Sequence, residues 1–198
     1  MNFDEKDDYY AVNFEGLDCA EIEIEAKEFD NCTFTKCDFS EAHFKKCKFI
    51  ECDFVNCNLS LAKVEYSSFA DVTFRNSKLI GIDWTTVAWS NLVKEAPVRF
   101  YQSIVNDCSF YGLCLQELVL EECKAHGVDF REGDFTGSNF TFTDLSGCLF
   151  GNCRLVGVDF SGAVNYGIDV YQNDIKGAKF SRFEALRLLD SLEVELVD

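Results

Sequence analysis

Eleven cysteines, two histidines and thirty-five acidic residues are the side chains in this 198-residue chain that could do chemistry. Cysteine and histidine hold zinc when their spacing brings four ligands to one point, and CxxC is the usual sign. No two cysteines here are three apart. His43 and His126 stand far apart in the chain, and neither has a cysteine or serine at a fixed spacing that would make it a catalytic base. Carboxylates do acid–base work only where a concave pocket shifts their pKa values. No catalytic, metal or cofactor constellation is therefore expected, and the chain is not read as an enzyme.

The cysteines make sense once the pattern that positions them is found. In residues 35–59, Phe39, Phe44, Phe49, Phe54 and Leu59 fall every five residues, and Cys37, Ala42, Cys47, Cys52 and Cys57 each sit two before one of them. Neither a helix, with period 3.6, nor a strand, with period 2, repeats at five. The series of large apolar centres runs from Phe14 to Trp84, and again from Phe100 to Phe180 with a weak centre at Asn165. Of 20 phenylalanines, 17 are centres. No centre is charged, and Lys27 is the one charged residue two before a centre. Two of every five side chains thus point into a core and three face water. Nine of the eleven cysteines occupy the small position, where they behave as small hydrophobes.

This motif, recurring some thirty times over about residues 12–180, resembles that of the pentapeptide repeat family. The resemblance implies an all-β fold, a right-handed quadrilateral β-helix. Five residues make one side of a square, and four sides make a coil of twenty. Stacked coils lie about 4.8 Å apart, so roughly eight of them give a rod about 40 Å long. Cys32 stacks on Cys52 and Cys37 on Cys57 in such a rod, but parallel side chains oppose disulfide geometry. No positively charged segment leads into an apolar run at the N-terminus, so reduced thiols and a cytoplasmic location are expected. No run of 18 apolar residues is present, and no membrane span is expected.

The net charge is −17. Residues 1–99 carry 19 acids and 11 bases, and residues 100–198 carry 16 and 7, so the acidity runs the whole length. It opposes binding to nucleic acid or an anionic membrane and favours a basic partner. Twelve acids stand immediately before a centre. Six of them, Asp129, Asp134, Asp144, Asp159, Asp169 and Asp174, form the candidate partner-binding acidic face. Asp129 and Asp169 are expected two coils apart on one side, and Asp134 and Asp174 on another. A repeat that takes Asp or Asn before the centre to organise its turn accounts for part of this pattern without any partner.

The chain divides into an N-terminal cap or flexible segment (1–13), an N-terminal β-helix segment (14–84), a register break (85–99), a C-terminal β-helix segment (100–180) and a C-terminal tail (181–198). Trp84 and Phe100 are sixteen apart, one more than three repeats, and Pro97 is the only proline. A one-residue bulge that bends the rod is expected in preference to a protruding partner-binding loop, with Trp89 roughly on register. In the second segment, glycines such as Gly112, Gly127 and Gly137 stand two after a centre, where the corner needs permissive backbone. In the tail, Ser181 and Glu184 have capping-box spacing for a short α-helix. Val194, Leu196 and Val197 read as a short strand. Phe183, Leu186, Leu189, Leu192 and Leu196 give more apolar surface than a cap needs, so a homodimer through this end is expected.

The stretches GIDWTTVAW, NDCSFYGL and AVNYGIDVYQNDIKGAKFSRFEALRLLDSLEVELVD are similar to those of the antibiotic-resistance branch of the family, the Qnr and albicidin-resistance proteins. That likeness implies a DNA-mimicking partner of DNA gyrase and related type II topoisomerases, including topoisomerase IV. It implies protection from fluoroquinolones or albicidin. The chain lacks the long insertions of Qnr members. A scaffold role with some other partner is the alternative.

Overall fold

The five-residue period builds a right-handed parallel β-helix of about eight coils, each side of the square supplied by one repeat. The structure, a computed structural model, describes residues 3, 6–89, 97–195 and 197. Side one stacks Phe14, Phe34, Phe54, Phe74, Phe100 and Leu120 in register. Side two carries Phe39, Leu59, Leu79, Val105 and Ala125, side three Ile24, Phe44, Val64, Trp84, Phe110 and Phe130, and side four Tyr9, Phe29, Phe49 and Phe69. The strands are three or four residues long in most places, because a strand ends where the square turns.

Aromatic geometry fixes the stacking. Along side one, Phe34 and Phe54 stack at 4.6 Å and Phe54 and Phe74 at 5.0 Å. Around a coil, neighbours meet edge to face, as Phe29 and Phe34 do at 5.4 Å and 72°. Both arrangements suit the ring quadrupole.

Where the small position carries a donor, that donor is used. Cys47 Sγ donates to the Ile24 carbonyl at 3.1 Å, and Cys52 Sγ to that of Phe29 at 3.3 Å. Ser67 and Thr143 hydroxyls donate to Phe44 and Leu120 in the same way, 23 residues back. Such a bond to a buried carbonyl is worth about 1 kcal/mol, which favours thiols and hydroxyls here beside the Ala and Val that also occupy the position. Burial pushes the thiols of Cys52, Cys57, Cys108, Cys123 and Cys148 up to about 12. Cys114, which stands before a centre rather than two before, is exposed while the other ten are buried. Ellman's reagent is therefore expected to titrate one thiol in the native protein and eleven in urea. More than one rapid native thiol would contradict this burial.

The corner residue two after a centre takes the left-handed conformation. Gly112, Gly127 and Gly137 have φ near +70°, but Lys36, Leu61, Tyr66 and Phe142 adopt it too, at +54° to +59°. Their N–H groups donate to the next coil, Lys36 to Val55 and Tyr66 to Thr86 at 2.9 Å each. That bond offsets a strain of about 1–2 kcal/mol per non-glycine corner.

The register break differs from expectation. Val98–Tyr101 pairs with Val72–Arg75, with Phe100 opposite Phe74, an offset of 26 rather than 20. Trp89 keeps its place, 6.5 Å from Phe69, and the Ala88 N–H donates to Ser67. The break is thus six extra residues between Trp89 and Phe100, not a one-residue bulge. Counting repeats could not decide this, since sixteen is three fives plus one and also two fives plus six. Stacking of Phe100 on Phe74, at 5.2 Å and 10°, decides it. Residues 90–96 lie outside the described residues.

The two ends are closed differently. At the N-terminus, Phe3 is buried against Tyr9, Phe14 and Phe29, and Asp8–Tyr10 already pairs with Glu28–Asp30. At the C-terminus, a 3₁₀ helix, Glu184–Leu192, lies over the last coil. The expected capping box does not form. Ser181 Oγ instead accepts from the Gly162 N–H at 2.7 Å, and Glu184 from that of Asn165 at 3.2 Å. Ser191 Oγ accepts from Val170 N–H at 3.4 Å. The last coil has no further coil to receive these donors, so the helix side chains take them. Val194 and Val197 are not in a strand, and Leu196 lies outside the described residues. The weak centre at Asn165 is also corrected. Asn165 is exposed with φ +61°, and Tyr166 fills the interior instead, 5.5 Å from Phe180.

Candidate partner-docking surface

The six aspartates do not share a face. Asp159 lies on side one, Asp144 on side two, Asp129 on side three, and Asp134 and Asp174 on side four. Asp169 makes no ladder pair among the described residues and is placed over side three by Gln172 beside Gly151 and by Asn173 donating to the Phe150 carbonyl. Each carboxylate accepts from the N–H two residues on, Arg131, Thr136, Ser146, Ser161, Tyr171 and Lys176 respectively for Asp129, Asp134, Asp144, Asp159, Asp169 and Asp174. These bonds organise the turn after each centre. Nor are the acids a continuous array. Arg154 stands between Asp134 and Asp174, Leu149 follows Asp129, and Lys179 follows Asp159 at 3.0 Å.

Local partners tune these groups. Burial alone would raise Asp144, but hydrogen bonds from Ser146, Asn165 and His126 hold it far below the usual carboxylate range. The His126 Nε2 lies 2.8 Å from Asp144. Hydrogen bonds from Arg131 pull Asp129 down. Asp134 and Asp159 are also lowered, despite burial, by Thr136 and Gln116 and by Ser161 and Lys179. A carboxylate lowered in the folded state contributes stability above its unfolded pKa, near 3.9, and loses it as pH falls. Asp144→Asn is therefore expected to flatten the acid limb of the stability curve below about pH 4. An unchanged limb in chemical denaturation would remove Asp144 from that role.

The field of the rod is uneven. In the first coils, Asp7, Glu25 and Glu28 meet Lys27, Lys45 and Lys48 across coils, at 2.8, 3.3 and 3.0 Å. Side one sets Glu15, Asp53, Glu121, Glu122 and Asp159 against Lys36, Arg75, Arg99 and Lys179. The other three sides carry the excess of acid. His43 lies between Glu23 and Glu65. Among the described residues no cluster could hold a metal ion, and no helix is long and apolar enough to cross a membrane. A groove of about 400 Å³ mixes Glu41, Glu65 and Asp83 with Lys63 beside Leu61 and contains no histidine or cysteine.

Of the expected dimer residues, Phe183 is 85% exposed and Leu186 51%, Leu192 is exposed, and Leu189 is half-buried. Val194 and Val197 extend the exposed apolar surface. Leu188 points the other way and packs on the core. Sequence reasoning missed the outward Tyr111, Leu149 and Tyr171. Their signal was a large apolar residue at a position the repeat leaves to water.

A family model described as "Pentapeptide repeat region" matches residues 27–95 and 91–160. The chain belongs to the pentapeptide repeat family. This pentapeptide repeat protein is similar in fold to a trypsin-treated variant of QnrB1, described as a plasmid-mediated fluoroquinolone resistance protein. The TM-score is 0.73 at 18% identity, over 96% of this chain and 100% of that one. Full-length QnrB1 aligns at a TM-score of 0.47 and 18% identity, over 94% and 100%. No curated protein matches the chain.

Proposed function

We propose that this pentapeptide repeat protein is a cytoplasmic, homodimeric acidic rod that binds DNA gyrase where DNA binds. It then protects gyrase, and by extension topoisomerase IV, from fluoroquinolones or albicidin. The observation that carries this reading is a net charge of −17 spread along a rigid β-helix. DNA is likewise a rod of regularly spaced negative charge. The fold likeness to QnrB1 adds support. Two rods joined at Phe183, Leu186, Leu189 and Leu192 double the acidic length and cover the exposed apolar end. No catalysis is part of the proposal.

A second reading is favoured by the turn-capping bonds of the six aspartates. The acids then serve the fold and solubility, and the rod is a scaffold for another partner. Gyrase supercoiling and drug-induced cleavage, measured while the protein is titrated, separate the two. Supercoiling restored in a fluoroquinolone or albicidin, at protein levels that do not themselves inhibit, supports protection. No effect on gyrase and no binding at any concentration would leave the scaffold.

A further inference from the structure

We propose that the C-terminal half of side three is the surface that docks a basic protein groove. Tyr111, Leu149 and Tyr171 are its anchors, and Asp129, Glu132 and Asp169 its acidic rim. The inference rests on the reading above and names the side of the rod that serves it.

Outward positions on this rod are polar in most coils. Beyond residue 100, the exposed large apolar residues of the β-helix are Tyr111 (43%), Leu149 (46%), Tyr171 (78%), Phe142 and Val164. The first three fall on one side within four stacked coils, with the coil of Asp129 and Arg131 between Tyr111 and Leu149. Phe142 is on the corner between sides one and two, and Val164 is on side two. Neighbouring coils are about 4.8 Å apart, so Tyr111 and Tyr171 span roughly 14 Å. Aromatic and arginine side chains dominate the binding energy of protein interfaces.

Tyr111 is held before a partner arrives. Arg131 donates from Nε and Nη2 to Asp129 at 2.9 and 2.7 Å, and its guanidinium lies 5.7 Å from the Tyr111 ring centre. The neighbouring Glu132 carboxylate, as acceptor for the Tyr111 hydroxyl, holds that phenol above its ordinary pKa. A side chain already fixed on several sides loses little freedom on binding. Between Arg131 and Tyr171, Gly151 leaves a notch: the nearest atoms to where a Cβ would stand are Arg131 Cγ at 3.7 Å and Gln172 Oε1 at 3.8 Å.

Charge names the partner's class. Arg131 is the only cation on this half of side three among the described residues, and Asp129 neutralises it. Glu132 and Asp169 remain uncompensated by any lysine or arginine of that side, so a basic surface complements the patch. Nucleic acid would meet like charge, and so would a second copy of the chain.

The test uses the full chain with intact gyrase and, separately, with oligo-arginine as a basic probe. Tyr111→Ser and Tyr171→Ser are each expected to weaken gyrase binding about tenfold, with Phe142→Ser as a matched exposed control that binds as wild type. Each variant's thermal melt guards against misfolding. Weakening by the side-three variants alone supports the inference. Gyrase bound equally by all variants overturns it and leaves the proposed function standing. If wild type does not bind gyrase, the proposed function fails. In that case oligo-arginine binding weakened about threefold by the same two variants, and not by Phe142→Ser, still supports the docking face, whereas equal binding overturns it. Loss of self-association in the two variants would make a second copy the occupant and overturn it as well.

Discussion

Phe54→Ala is expected to destabilise the rod by about 3–5 kcal/mol, the range for a buried phenylalanine whose removal leaves a cavity. Phe54 is fully buried, stacked on Phe34 and Phe74 and edge-on to Phe49 at 5.7 Å. The cost is large because of how a solenoid is held together. Each coil is stabilised only by its neighbours, so a hole at Phe54 weakens the interfaces above and below at once. Urea denaturation followed by circular dichroism should show a much lower midpoint. Phe142→Ala, at a corner residue 64% exposed, should change it by less than about 0.5 kcal/mol. A loss below about 1 kcal/mol at Phe54 would show that the aromatic column is not what holds the coils.

Phe183→Asp with Leu186→Asp is expected to convert a dimer into a monomer of 22.5 kDa, weakening self-association at least about a hundredfold. Both side chains are exposed on the single chain, so their replacement removes nothing from the core. Leu188, which does pack on the core, is untouched. In a dimer the two new carboxylates of each protomer would be buried against their symmetry mates, where unpaired charge is strongly unfavourable. Sedimentation at micromolar protein reads the change directly. A wild type that sediments as a monomer would overturn the dimer and the doubled acidic length that the gyrase reading uses.

The gyrase reading and the side-three inference make different demands on the same charge. The six aspartates before the centres are tied into turns, so their replacement perturbs folding as well as any partner. Tyr171 has no comparable burial, being 78% exposed. Substitution there probes binding with the coil left in place. This is why the docking surface is better tested through its aromatic residues than by reversing Asp129 or Asp169.

The five-residue repeat, and with it the interior, is legible in the order of the amino acids. A side chain's direction in this fold depends only on its place within five residues, so Phe34, Phe49 and Phe54 could be placed inside without coordinates. The position two before each centre was legible too, as an uncharged and mostly small inward residue with Lys27 the exception. The features that depend on residues a coil away in the chain are visible only in the folded molecule. The length of the coil between Trp89 and Phe100 is set by Phe100 stacking on Phe74, and a count modulo five is blind to it. Tyr166 displaces Asn165 because Phe180, three repeats on, is there to receive its ring. Ser181 and Glu184 abandon the helix cap because the last coil's N–H groups have no other acceptor. The aspartates scatter over four sides because successive fives turn the corner of a square, so neighbours in sequence become strangers in space. Local period is written in the backbone's own geometry. Coil-to-coil partnership is written only in the stack.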